Sequence, residues 1–311
     1  MAGWALGQAG LKTTTRKGLA ALILAANMPD IDVFFGNAPW DPLAIHRGFT
    51  HGLVGGVLLM PPILAGLLWL FDRWQLSRGT QFESALPMHF GWLVLLCYLG
   101  ALTHPMLDVL TTYSVQLFSP FSNRWYHVDG LFIIDLWVWL MLAFGIGISK
   151  QREQKGRPWR RPAQIAIIAV LAYIATNLFI TQRADAAVRG WAGGQPVEAI
   201  FHSPPPLLFW QRGLVWREDH CYRRSEYHPF RNGLGAVTEC QPTNMDLPEV
   251  REALRSDPRL QKFLKWSILP QADVVRSKCS FTVFIGDARY GEGRRSRLAR
   301  ETVVPTHGPG C

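Results

Sequence analysis

The segment Phe90–Leu110 reads FGWLVLLCYLGALTHPMLDVL, and its reading decides the fold. No charge interrupts it from Phe90 to Leu102. At about 1.5 Å per residue the whole segment is long enough to cross a bilayer core of about 30 Å. Near its end it carries His104 and Asp108, four residues apart and so on one face of a helix. Ionisable groups at membrane depth are costly and normally face a bundle interior or a polar cavity. The segment therefore predicts a membrane helix and a polar site at one end of it.

Working outward, the same standard selects Gly52–Phe71, Leu131–Ser149 and Ala163–Thr181 as further spans. Gly18–Phe35 is apolar but interrupted by Asn27, Pro29, Asp30 and Asp32, so its outer end is expected to be irregular. Met1–Gly10 is apolar and half long enough, which reads as a re-entrant or truncated helix. It has no early positive charge and no small-residue cleavage pattern, so it does not read as a cleavable signal peptide. Past Thr181 the chain turns rich in Arg, Glu, Pro and Asp. The mean hydropathy of +0.07 is thus an average over two unlike parts. The expected fold class is an α-helical integral membrane bundle, about five transmembrane helices plus a truncated N-terminal helix, with a small C-terminal α+β soluble domain. The expected domains are 1–182 and 183–311.

The formal charge of +9 could point to nucleic acid, but much of it lies in one interhelical loop: Lys150, Arg152, Lys155, Arg157, Arg160 and Arg161. Membrane topology explains that placement better, and no nucleic-acid partner is expected. The loop marks the cytoplasmic side; Arg73, Arg78, Lys12, Arg16 and Lys17 then fall inside as well. The loops Gly36–His51 and Thr111–Gly130 fall outside, as does everything after Thr181. In that outer part Leu207–Arg217 and Ala272–Tyr290 are β-rich, and Leu247–Trp266 has helical spacing, with Asp246 and Glu249 placed as a capping box. Cys221, Cys240, Cys279 and Cys311 all fall there, an even set in an oxidising compartment that predicts one or two disulfides, with Cys311 the end most readily left free.

On this topology Asp30, Asp32, Asp41, Asp108, Asp129 and Asp135 all map to the outer ends of helices, together with His46, His51, His104 and His127. Asp30 and Asp32 offer two carboxylates at a broken helix end, and His46 and His51 two imidazoles on a loop entering a helix. Each pair alone is more often a cap or a hydrogen-bonded interfacial group. Their joint arrival from four helix ends selects metal ligation by Asp30, Asp32, His46, His51, His104 and Asp108. The His and Asp mixture favours a divalent metal, zinc by default, which activates water and polarises a phosphoester. Arg47 is the expected clamp for an anionic group, Asp129 a further catalytic candidate, and Thr50, Thr103 and Thr111 supporting donors. Asp41 reads as a loop residue, and the aromatic residues at this boundary read as an interfacial belt.

Four stretches in order, Asn27-Met28-Pro29-Asp30-Ile31-Asp32, His46-Arg47-Gly48-Phe49-Thr50-His51, Thr103-His104-Pro105-Met106-Leu107-Asp108 and Leu117-Phe118-Ser119-Pro120-Phe121, resemble the membrane-bound metal-dependent hydrolases of the YdjM type. The resemblance extends more loosely to Trp266–Pro270 and to Asp287-Ala288-Arg289-Tyr290. It implies a multi-pass bacterial inner-membrane hydrolase, related by pattern to zinc phospholipase C-like enzymes, with its C-terminal domain extracytoplasmic. Similar proteins begin a few residues earlier with an Asp/Asn-x-x-Thr-His stretch, so the start at Met1 is expected to be late. A lipid or lipid-linked phosphoester in the surrounding bilayer is the expected substrate. The competing class is a non-catalytic metal-binding membrane protein, a transporter or sensor. A conduction path would place polar residues at the midplane, where Gly52–Phe71 and Ala163–Thr181 have almost none.

Overall fold

A computed structural model of the chain describes residues 1–34, 47–82, 84–231, 233–296 and 298–306. Described residues up to Leu178 form one compact unit, and those from Phe179 onward form another.

The first unit is helical: α1 (Ala2–Gln8), α2 (Gly18–Ala25), α3 (Leu53–Ser77), α4 (Phe90–Val109), α5 (Leu136–Gln154) and α6 (Arg160–Ala192), the last continuing into the second unit. Among the described residues α3, α4 and α6 are long and apolar enough to cross a membrane. The other two expected spans are shorter. In α5 the last turns carry Lys150, Arg152 and Glu153, which shortens its apolar stretch. Helix α2 ends at Ala25, and a tighter 3-10 segment, Met28–Phe34, takes over where Pro29 would have no N–H to donate. The N-terminal apolar stretch is the seven-residue α1.

Lipid tails are as apolar as Leu, so these helices gain little from burial itself and hold by close packing. Glycine permits that contact. A Cβ on Gly100 of α4 would lie 2.7 Å from the Leu22 carbonyl oxygen and 2.9 Å from the Ala25 Cβ. A Cβ on Gly3 would lie 2.1 Å from that same carbonyl. Helix α2 is therefore clamped against α1 and α4, with Ala21, Leu22, Ala25, Leu93, Leu96 and Cys97 buried between them. At one end of the bundle Arg16 grips Asp72 by two hydrogen bonds of 2.7 and 2.8 Å, and Lys12 reaches Glu153 at 2.6 Å. The Thr15 hydroxyl accepts from the His89 amide there. His104 lies farther along α4 from His89 by about 22 Å of helix, at the opposite end.

The second unit is α+β. Strands β1 (Ala199–Ser203), β2 (Arg212–Glu218), β3 (Cys221–His228), β4 (Gly233–Leu234) and β5 (Gln241–Pro242) form an antiparallel sheet ordered β1-β2-β3-β4, with β5 also on β3. A second antiparallel sheet is built from β6 (Pro270–Arg276), β7 (Ser280–Asp287) and β8 (Arg300–Pro305). The last turns of α6 bury Ile180, Ala184 and Val188 against Leu214, Trp216 and Tyr227 of the first sheet. Cys221 and Cys240 form a disulfide, and Cys279 is also disulfide-bonded. Cys311 lies outside the described residues.

Two local readings are corrected. The helical stretch Leu247–Trp266 is two helices, α7 (Pro248–Ser256) and α8 (Pro258–Trp266), because Pro258 holds Asp257 in extended backbone. Asp246 is not a cap: Leu247 takes that position without a side-chain bond, and Glu249 instead binds Arg276 at 2.8 Å. Within the β-rich stretch Leu207–Arg217 the strand starts at Arg212.

Candidate metal centre

The loop entering α3 is laid directly on the first turns of that helix. A Cβ on Gly55 would stand 2.2 Å from the Phe49 carbonyl oxygen, and one on Gly56 the same distance from that of Thr50. Only glycine allows this approach, and it presses His51 into the bundle, where its side chain is 1% exposed. The turn is wound wide over Leu53–Leu59, as a π-helix. The Leu53 amide donates to the Leu117 carbonyl at 2.7 Å and the Gln116 amide to that of Arg47 at 2.8 Å, so the stretch around Leu117–Phe121 backs the same loop. From the other side, the contact through Gly100 brings the end of α2 beside His104.

Three elements thereby converge. Asp30 Oδ1 stands 3.3 Å from His51 Nε2 and 3.3 Å from His104 Nε2, and the two nitrogens are 3.2 Å apart. Asp30, His51 and His104 form a group that could hold a metal ion. Asp108 Oδ2 lies 3.6 Å from His51 Nε2 and 3.5 Å from His104 Nε2, buried and without a hydrogen-bond partner. Asp30 is the open side of the group, its side chain 48% exposed.

The outer nitrogens of both rings determine what the inner ones can do. His104 Nδ1 lies 2.9 Å from the Ala26 carbonyl oxygen, which can only accept, so Nδ1 carries the proton. His51 Nδ1 lies 3.1 Å from Thr50 Oγ1, whose single proton is donated to Asp32 Oδ2. Thr50 must then accept from Nδ1–H. In both neutral rings the lone pair is therefore on Nε2, and two lone pairs and a carboxylate oxygen face one another across 3.2–3.3 Å. That arrangement repels itself unless a cation or an added proton sits between. Ligand bonds of about 2.0–2.1 Å in a tetrahedral site separate their ligand atoms by about 3.3–3.4 Å, which matches. The residues present fit a divalent metal, and the backing of each imidazole by an acceptor is the usual support of a histidine ligand.

The other expected site residues fall differently. Asp32 stands behind His51, 3.8 Å from its Nδ1. Arg47 is buried, 3.5 Å from Asp108 Oδ1 and over the ring of Tyr113, so it orients a carboxylate of the protein. Thr111 donates to the Asp108 carbonyl at 2.9 Å and Thr103 to that of Gly100 at 2.7 Å. Asp129 is buried in left-handed backbone and accepts from His127 Nδ1 at 2.8 Å. Asp135 caps α5 through the amides of Trp137 and Val138 and accepts from the Tyr173 hydroxyl. His46 and Asp41 lie outside the described residues. The Ala26 carbonyl went unforeseen, since a backbone acceptor at a helix end leaves no mark in residue type.

Beside the cluster an apolar cavity of about 640 Å³ is lined by Ala5, Leu6, Thr103, Leu107, Leu142 and Ile174, among others. Thr103 and Leu107 immediately precede His104 and Asp108 on α4.

Residues 1–184 match the model of a family described as YdjM inner membrane protein. The chain belongs to that family. The match takes in all four ordered motifs around the cluster. Among curated proteins the chain is similar to the uncharacterized protein YfhP of Bacillus subtilis (strain 168), 24% identical over 278 residues that cover 88% of this chain and 77% of that protein. No solved structure matches. This member of the YdjM family is thus an inner-membrane-type protein with, among the described residues, three apolar helices long enough to cross a membrane, a β-rich C-terminal unit and an Asp/His/His group that could hold a metal ion.

Proposed function

We propose that the protein is a membrane-bound metal-dependent hydrolase, acting on a lipid or lipid-linked phosphoester at the outer leaflet. The observation that supports this best is the pair of Nε2 lone pairs of His51 and His104 facing each other and Asp30. Asp30, His51, His104 and Asp108 would hold the ion, and the mixture of imidazole and carboxylate favours zinc. When bound, a divalent ion supplies Lewis acidity and an acidified water. The chain's own groups do the rest. The Ala26 carbonyl and the Thr50–Asp32 relay hold the two rings in one tautomer. Arg47 holds Asp108 aimed at the cluster, and its charge favours an anionic ester beside it. The cavity is large enough for a small ligand and offers hydrocarbon contact to a substrate tail. To Asp129 we assign a structural role in holding its loop through His127.

The separation of the cluster from the basic end of the bundle supports an outer-leaflet site, and the Cys221–Cys240 disulfide favours an extracytoplasmic C-terminal unit. In the same reading α5 is a fourth span and the α2 region a fifth, broken one.

The test is metal content by mass spectrometry on detergent-purified protein, compared with His51→Ala and His104→Ala. Stoichiometric transition metal in the parent and its loss in both variants is the expected result; a metal-free parent would sink the reading. Phosphoester lipids are then screened on the loaded protein. Stoichiometric metal without turnover would point to the non-catalytic metal-binding class.

A further inference from the structure

Within the second unit, the first sheet is tied to the last turns of α6 at two levels. Arg212 Nε, at the start of β2, donates to Thr181 Oγ1 at 3.0 Å. Trp216, farther along β2, packs its ring on Trp191 with centroids 5.6 Å apart. Thr181 to Trp191 is about 15 Å of helix and Arg212 to Trp216 about 13 Å of strand, so the strand runs alongside the helix in the same direction. Thr181 ends the apolar stretch of α6, where Gln182, Arg183 and Asp185 follow. The Arg212 end of the sheet is consequently its membrane end.

The register shows what leaves the sheet there. Ser203 of β1 pairs with Gly213, and Tyr227 of β3 pairs with Arg212. Both the β1–β2 connection and the turn after His228 therefore emerge at the level of Thr181. Leu207 in the first is 57% exposed and Leu208 is 40% exposed; Phe230 in the second is 81% exposed. At the opposite end, the β2–β3 turn presents Asp219 and His220. At the same level of α6, Phe179 is exposed as well. Arg183 and Arg231 are exposed beside it, as suits anionic headgroups.

We propose that the Leu207–Leu208 connection and the Phe230 turn insert into the membrane interface around α6, so that bilayer lipid is the occupant of this exposed apolar end. Large apolar side chains backed by Arg are the composition of such an interfacial anchor. The inference is independent of any metal or activity.

The test places a cysteine at Leu208 or Phe230, with Gln195→Cys beyond the end of α6 as the control, in the full chain reconstituted into lipid bilayers. Cys97 is buried and Cys221, Cys240 and Cys279 are in disulfides, so among the described cysteines none competes for a thiol-directed environment-sensitive fluorophore. Nitroxide-labelled lipids are expected to remove about half or more of the emission at positions 208 and 230 and little at 195, as for residues at headgroup depth. Emission at all three sites untouched by nitroxide lipid but quenched by aqueous iodide would overturn the proposal. Protection at 208 and 230 from both quenchers would overturn it too, since the occupant would then be a protein surface, either a second copy of this chain or another partner.

Discussion

Two buried polar centres, one in each unit, treat charge in opposite ways. In the second unit Asp287 and Arg289 have side chains with no exposure at all. Asp287 accepts from Arg289 Nε at 2.8 Å and Nη2 at 3.0 Å, the Ser267 hydroxyl at 2.7 Å, and the amides of Ile268, Leu269 and Arg289. Around it the Trp266 and Tyr290 rings stack, and the Arg289 guanidinium lies 4.9 Å from the Trp266 ring centre. Burial alone would raise this carboxyl, but Arg289 and the hydrogen bonds hold it below the ordinary carboxylate range. In the membrane unit the Nδ1 atoms of His51 and His104 face outer partners, while their Nε2 atoms and Asp108 Oδ2 converge on one another. A saturated buried pair is a fastening. A convergent set of imidazole and carboxylate ligand atoms could hold a metal ion.

The largest expected effect is at the cluster, where His51→Ala or His104→Ala abolishes stoichiometric metal while the Cys221–Cys240 disulfide and the folded second unit persist; metal analysis with non-reducing mass mapping checks this. Next, Asp287→Ala leaves Arg289 buried without its carboxylate, at a cost of about 3–5 kcal/mol to the second unit. Chemical unfolding followed by near-ultraviolet circular dichroism of the Trp266–Tyr290 stack measures it, with metal content unchanged. Thr50→Val removes the acceptor of His51 Nδ1 and the donor to Asp32, and is expected to weaken metal affinity by about 10–100-fold in a competitive chelator titration.

A pH series sharpens the contrast. The folded Asp287 carboxyl lies below its unfolded value of about 3.9, so its contribution is fully present above that value and is lost as pH falls through the folded value. Asp287→Asn should flatten this acid limb. The smallest effect is expected at Asp257, which caps α8 through the Arg259 amide and accepts from Thr302. Asp257→Ala should cost about 1 kcal/mol.

The sequence alone determined the large divisions, because hydropathy over about 20 residues and the placement of Lys and Arg are properties of the chain itself. It also marks Asp30, His51 and His104, which the fold brings together, since helix ends of one bundle meet wherever the helices pack, and His104 and Asp108 share a face by spacing alone. The tertiary structure decided what one-dimensional pattern does not carry. It turned Arg47 onto Asp108, set Asp32 behind His51, gave His104 the Ala26 carbonyl, and brought Trp266–Leu269 onto Asp287. Each of these depends on where a distant backbone group lies. That position is set by glycine contacts such as Gly100 on Leu22 and Gly55 on Phe49, where the absence of a side chain, rather than its chemistry, brings the partners together.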